Sequence, residues 1–592
     1  MQLPATWRSG LAGIMWFLAL APASTPATTP FFPLKDVKPG MRGIGKTVFS
    51  GDRIEDFQVE ILGVLENIGP KQSLILARLS GGPIASTNVM QGMSGSPVYL
   101  EGRLVGAVAM AFPYAKEPIA GIRPISDMLS NAEKPAARAR TQMTDTDVLA
   151  AFPKRGEAVF GAGRMIDIAT PISFGGFTRA AIERFAPQLR ALGLEPTQGV
   201  SSGGRIPETM GAHSSLKPGS MISVGLVTGD LSIGADGTVT YIDGNRIYAF
   251  GHRFLSVGST DLPFARSEVL TLLPSVSSSF KISAARELMG SISLDHSTAI
   301  AGELGRRAAM VPVAIRVAGP TGKKSTYQMQ MVDDRFLSPF LLQMSVFSAI
   351  DATERTVGAG SFVVKGQIQF RDGTTPVKLD NMFAGDVSSA MQVAQSASIP
   401  LAYVLQGGFD KVRVKQVDLD IETFDQKRQL QIDHVFPSRR ETRPGEPVEL
   451  NVGLAGENGA LITRKVRYQT PIGLTPGPLY FTISDANTAN ITDYRQTLGS
   501  APRSANQMIS NVNNLKVNTK AYVRAWRPDP AYQVNGEDIP SPPPSLGMIL
   551  ARSQAGYGGL TQTFNSKLAE LEISGIGAVV TGSKTIQVDI KE

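Results

Sequence analysis

The stretch Val89 to Phe112, VMQGMSGSPVYLEGRLVGAVAMAF, constrains the fold more than any other. Pro97-Val98-Tyr99-Leu100, the turn Glu101-Gly102 and Arg103-Leu104-Val105-Gly106-Ala107-Val108 together read as a β-hairpin. Ahead of it, Gly92-Met93-Ser94-Gly95-Ser96-Pro97 has the spacing G-x-S-G-x-P. Glycines on both sides let the backbone turn sharply and leave a hydroxyl exposed, which suits acyl transfer. The amides of Gly92 and Ser94 can then converge where an oxyanion would develop. The plainer alternative is that Ser94 is turn chemistry and nothing more. Between the two hydroxyls the spacing favours Ser94. Ser96 precedes Pro97, which biases it toward an extended conformation at the strand entry.

The string QGMSGSPVYLEGRLVGAV resembles the nucleophile segment of the SpoIVB peptidases, serine endopeptidases with a chymotrypsin-like fold. The run GIGKTVFSGDRIEDFQVEILGVLENIG, Gly43 to Gly69, resembles the strands preceding that serine. Farther on, Met221 to Leu304 contains strand-length runs divided at Gly229-Asp230, Asp236-Gly237 and Asp243-Gly244-Asn245, each a tight-turn signal. The last run delivers Phe250-Gly251-His252, similar to the family's His-bearing strand end. The resemblance implies Ser94 as nucleophile, His252 as general base and Gly92 and Ser94 amides as the oxyanion hole. His252 lies 158 residues after Ser94. The family's order is the reverse, so the two halves look exchanged, which packed half-barrels can tolerate. The family's acid should follow an Arg-Ile-Thr-like strand end. Here Arg78-Leu79-Ser80 is followed by Gly81, so a different carboxylate is needed. Asp261 is the expected substitute, with Asp243 and Asp295 as weaker candidates in ordinary turns.

The rest of the chain bounds the reading. Met1 to about Ala27 has an apolar core at Leu11 to Ala21 and a small-x-small site at Ala21-Pro22-Ala23, as in an export signal. There are 60 glycines, 39 prolines and no cysteine in 592 residues, which favours a turn-rich β protein and excludes disulfides and thiolate chemistry. The net charge of +7, with no long basic run, suits anionic envelope surfaces and does not specify nucleic acid. His213 lies in a Gly/Ser-rich connector, His296 follows Asp295 in a turn and His434 opens the C-terminal domain; no metal-ligand spacing is present and no phosphate loop occurs, so no cofactor is expected.

The expected organisation is a signal at 1–27, a Ser-bearing half at 31–135 and a linker with a small α/β insert at 136–217. A His-bearing half at 218–306, a β-rich region at 307–430 and a β-sandwich at 431–592 follow. The fold class is mainly β: a chymotrypsin-like double β-barrel from two separated segments, plus a C-terminal immunoglobulin-like sandwich. The expected function is an exported serine endopeptidase acting on envelope proteins or itself, with a peptide substrate and no membrane span after signal cleavage. Two alternatives stay open. One is an inactive peptidase-like protein that binds peptides or envelope partners; the other is a structural envelope protein.

Overall fold

The structure, a computed structural model, describes residues 31–592 apart from 131–157, 199–205, 354–358, 498–501, 554–559 and scattered single or paired positions. The expected signal and the Asn131 to Asp147 linker lie outside the described residues.

Strands β1 (Arg42–Ser50), β2 (Arg53–Gly69), β3 (Gln72–Ser80), β4 (Pro97–Leu100), β5 (Arg103–Ala111) and β6 (Ile119–Pro124) build the first barrel. They pair in the order β4-β1-β2-β3-β6-β5, and a β4–β5 pairing closes the ring. Alternation does the sorting: Phe57, Val59 and Ile61 of β2 and Ile75, Ala77 and Leu79 of β3 point inward with Val98 and Ile122. The expected hairpin is β4–β5, and Glu101 and Gly102 both take positive φ in its turn, as a two-residue primed turn requires. Short helices α1 (Ile84–Thr87) and α2 (Ile125–Ser130) flank the barrel.

After strands β7 (Ala158–Phe160) and β8 (Gly163–Asp167), the insert is a β-α-β unit: β9 (Thr170–Gly175), α3 (Arg179–Ala191) and β10 (Leu194–Gln198). Its two outer strands pair in parallel. Thr178 caps α3, accepting from the Ala181 amide, and Ala181, Ile182, Phe185 and Leu189 form its buried stripe.

The second barrel uses β11 (Met221–Gly229), β12 (Ser232–Asp243), β13 (Arg246–Ala249), β14 (Gly258–Leu273), β15 (Phe280–Asp295) and β16 (Ile300–Leu304). They pair as β12-β13-β16-β15-β14-β11, and β11–β12 closes this ring too. The ring flares at one end, because β11 pairs with β14 through Ile222 to Val224 but with a later strand through Val227 to Gly229. That later strand is β18 (Lys324–Val332), and the sheet continues through β17 (Met310–Ala318), β21 (Val414–Phe424), β19 (Gly360–Phe370) and β20 (Val377–Gly385). Helices α4 (Leu337–Thr353) and α5 (Ser389–Gln406) cover this extension, and a single apolar core runs from Ile172 to Ile421 and takes in Ala505 and Ile509.

One expected turn is absent. Asp236-Gly237 lies inside β12, because Gly237 makes room for the Phe250 ring: a Cβ there would stand 2.3 Å from Phe250 Cε1.

The C-terminal strands form a four-stranded and a five-stranded sheet around one core, which includes Ile432, Val448, Leu450 and Val452 of the first and Leu479, Phe481, Val523 and Val588 of the second, and a separate three-stranded sheet. In chain order the strand Pro447–Ala455 is the second of its sheet; Gln429–Pro437 precedes it and pairs with it antiparallel. Among the described residues no helix is long and apolar enough to cross a membrane.

Candidate active site

The turn that carries Ser94 is made by one barrel and completed by the other. Gly92 and Gly95 have φ of +88° and +91°, so the chain reverses on either side of Ser94 in conformations that favour glycine. Three carbonyl groups of this turn, those of Gly92, Ser94 and Gly95, are then taken by β12. Thr238 Oγ1 donates to Gly92 O at 2.8 Å, and Thr240 Oγ1 donates to Gly95 O at 2.7 Å. Between them, the Thr238 amide donates to Ser94 O at 2.9 Å. At Gly95 the approach leaves no room for a side chain, since a Cβ would lie 2.0 Å from Thr238 O and 2.6 Å from Phe250 N.

The amides of this turn divide into two sets. Those of Met93, Gly95 and Ser96 donate to Met90 O, Val108 O and Met93 O. Among the described residues, the amides of Gly92 and Ser94 donate to nothing. These two are the pair expected to hold an oxyanion. Ser94 is fully buried, and its Oγ has no hydrogen-bond partner, so the hydroxyl is not bonded to His252 in this state.

His252 reaches the same seam. Phe250 and Gly251 both have positive φ, +71° and +70°. For a phenylalanine this is a strained conformation, kept only where the surroundings impose it. The Phe250 amide donates to Thr238 O at 3.2 Å, so the residue beside Ser94 also anchors the His turn. Gly251 lies flat against β5, where a Cβ would be 3.3 Å from Val108 O, the carbonyl that accepts from Gly95. The Ser94 and His252 turns are therefore neighbours on both sides of the barrel seam.

His252 is 1% exposed, and its Nδ1 is 2.7 Å from Arg253 O. A carbonyl can only accept, so Nδ1 carries the hydrogen, and in the neutral ring Nε2 holds the lone pair that a general base needs. A backbone carbonyl thus fixes the tautomer, a task an aspartate performs in a Ser-His-Asp triad.

Asp261 is not brought to His252. Ser291 Oγ donates to Asp261 Oδ1 at 2.5 Å, the Ala309 amide donates to Oδ2 at 2.8 Å, and Arg306 completes an ion pair. Its carboxylate ties β14 to β15 and to the segment before β17. The expected role for Asp261 has no contact to act through. Asp243 is exposed at the β12–β13 turn, and Gly81, where the family's acid would fall, has φ +94°.

The carboxylate that serves the His loop is Asp295. It accepts from the amides of Phe254 at 2.8 Å, Leu255 at 2.7 Å and Val257 at 3.3 Å, which fixes the loop immediately after His252. Burial pushes its carboxyl up to about 6, opposed by those same amides. The sequence shows Asp295 only as a turn residue at a strand end, so only its place across the barrel reveals this contact. Of the other histidines, His213 is exposed in a short 3-10 turn, His296 is half-buried with its pKa lowered by burial, and His434 bonds Asp433. Among the described residues no group of His, Asp or Glu is arranged to hold a metal ion.

Residues 11–123 match the family model of the SpoIVB peptidase S55. No curated protein matches the chain. The match takes in all six strands of the first barrel, up to Arg123, and the whole Gly92–Pro97 turn. Over these residues the barrel that carries Ser94 is thus similar to the SpoIVB-type serine peptidases.

Proposed function

We propose that the chain is an exported serine endopeptidase in which Ser94 is the nucleophile, His252 the general base and the Gly92 and Ser94 amides the oxyanion hole. One observation carries the reading: the G-x-S-G-x-P turn keeps those two amides undonated while the strand beside it delivers a histidine in the base tautomer. In the reaction, Ser94 Oγ attacks the scissile carbonyl as its proton passes to His252 Nε2. The carbonyl oxygen becomes the oxyanion held by the two amides, and the imidazolium then protonates the leaving amine. Water hydrolyses the acyl-enzyme by the same route. Arg253 O fixes the tautomer but brings no negative charge to the imidazolium.

Both residues are buried, so a substrate reaches them only when the barrel seam opens. That burial favours one rival, a non-catalytic descendant that uses the same double barrel to bind partners. The sequence of the first 27 residues and the positive net charge support an exported protein acting on envelope proteins. A fluorophosphonate probe separates the readings. Covalent labelling that disappears in both Ser94→Ala and His252→Ala is expected; labelling that survives Ser94→Ala, or none in the native chain, rejects the peptidase reading.

A further inference from the structure

The seam beneath the nucleophile turn holds polar groups that the Ser94–His252 mechanism leaves unused. Lys281, near the start of β15, donates its amide to Gln91 O at 3.2 Å, and the Gln91 amide donates to Ser279 O at 2.8 Å. The second barrel thereby pairs its backbone with the residue just before Gly92. The Lys281 side chain is 2% exposed and runs alongside Gly92, where a Cβ would stand 3.2 Å from Lys281 Cδ. At its tip Nζ donates to Thr47 Oγ1 of β1 at 2.7 Å. Ser96 Oγ donates to the same oxygen at 3.0 Å. A cation of one barrel is thus bonded across the seam to the other and, through one hydroxyl, to the residue two positions after Ser94.

Among the described residues no carboxylate lies within ion-pair distance of this ammonium. A buried cation with no direct ion pair is costly, and a methionine would fill much of the same space without that cost. Its retention therefore points to a role beyond packing.

We propose that Lys281 is a positioning residue for the nucleophile: its side chain, laid along Gly92 and bonded to Thr47, holds the Gly92 to Ser96 turn in register with the second barrel and makes that register depend on pH. The groups facing Lys281 are Thr47 from β1, Gln91 and Gly92 from the loop, and Asp236 from β12, and of these only Asp236 titrates. Asp236 is itself buried and accepts from Ser283 Oγ at 2.7 Å. Burial brings Lys281 down to about 7, partly countered by Asp236, and burial lifts Asp236 to about 6. Both groups therefore change charge near neutral pH.

The activity arm of the test rests on the peptidase reading; the exchange arm does not. In the full chain, Lys281→Met should speed amide hydrogen exchange at Met93, Gly95 and Ser96 by at least about tenfold, with the Pro447–Ala455 strand unchanged. Lys281→Arg should restore part of the protection. Fluorophosphonate labelling of the native chain should show one more titration limb near neutral pH than Lys281→Met shows. Unchanged exchange at the turn, or superimposable pH profiles in two labelling-competent proteins, overturns the proposal. Faster exchange in Lys281→Met alongside a native chain that never labels upholds the positioning role and rejects the peptidase reading. If Lys281→Met does not fold, Thr47→Val, which removes the acceptor and keeps the shape, is read by the same two assays with the same outcomes.

Discussion

Replacing Asp295 by Ala perturbs His252 without touching the imidazole. The substitution leaves the amides of Phe254 and Leu255, at 2.8 and 2.7 Å, with no acceptor in a site only 1% exposed. Each abandoned buried donor costs about 1–3 kcal/mol, so the two short bonds together give roughly 2–6 kcal/mol. Against this stands the charge itself. Burial raises the carboxyl from 3.8 to about 6, so holding it ionised costs about 3 kcal/mol above pH 6 and almost nothing below pH 4. Alanine carries no such penalty. The native chain should therefore exceed the variant by most in acid, and the gap should shrink by about 2 kcal/mol between pH 4.5 and 7.5. Thermal melts of the barrel transition would show this as roughly 4–8 °C. Asp295→Asn, neutral but still an acceptor, should show the same pH trend with a smaller loss. Labelling at Ser94 should drop in Asp295→Ala at every pH, because the loop that carries His252 is released. A melting gap that does not change with pH, or labelling as fast as native, would refute the clamp.

Asp261→Asn should leave labelling within about twofold of native, since the carboxylate bonds Ser291, the Ala309 amide and Arg306, while its partly exposed ion pair is worth about 1 kcal/mol or less; an activity collapse with unchanged melting would return Asp261 to the site. Stability against pH should pass through a minimum near pH 6–7, read by denaturant midpoints. Between about pH 4 and 6 the unfolded chain gives up protons that Asp236 and Asp295 keep in the fold, so stability falls as pH rises. Above about pH 7 the unfolded chain keeps a proton that buried Lys281 has lost, so stability rises again toward 10.5. A flat curve across both windows would mean that these three groups are solvated.

Local signals carried much of this fold. The β4–β5 hairpin stands where its strand residues and the Glu101-Gly102 turn put it, because it is specified by contacts close in sequence. Helix α5 was hidden among strands: its small residues Ala390, Ala394 and Ala397 carry little periodic contrast, and Pro400 lies inside it. Asp236-Gly237 misled for a different reason. A glycine needed for the close approach of Phe250 looks the same in sequence as one needed for a turn. At the site, Ser94, His252 and the Gly92 turn were legible from motif chemistry. Asp295 and Lys281 were not, because each acts on a loop far away in the chain, and nothing local marks a buried charge by its partner.

The turn that holds Ser94 is hydrogen-bonded by Thr238 and Thr240, residues of the other barrel. During synthesis the first ring can close on its own, since β1 to β6 are contiguous and pair only with one another to do so. The three carbonyls of its nucleophile loop, however, wait for strands made much later. At ribosomal rates of about 5–20 residues per second, the 158 residues between Ser94 and His252 take roughly 8–30 seconds to appear. Once β6 has followed, the nascent chain holds the serine ring with neither the histidine nor the strand that shapes its turn. On the peptidase reading, placing the serine first builds a delay into manufacture: the emerging chain carries its nucleophile turn before it carries the base, and the site is complete only when the second barrel docks.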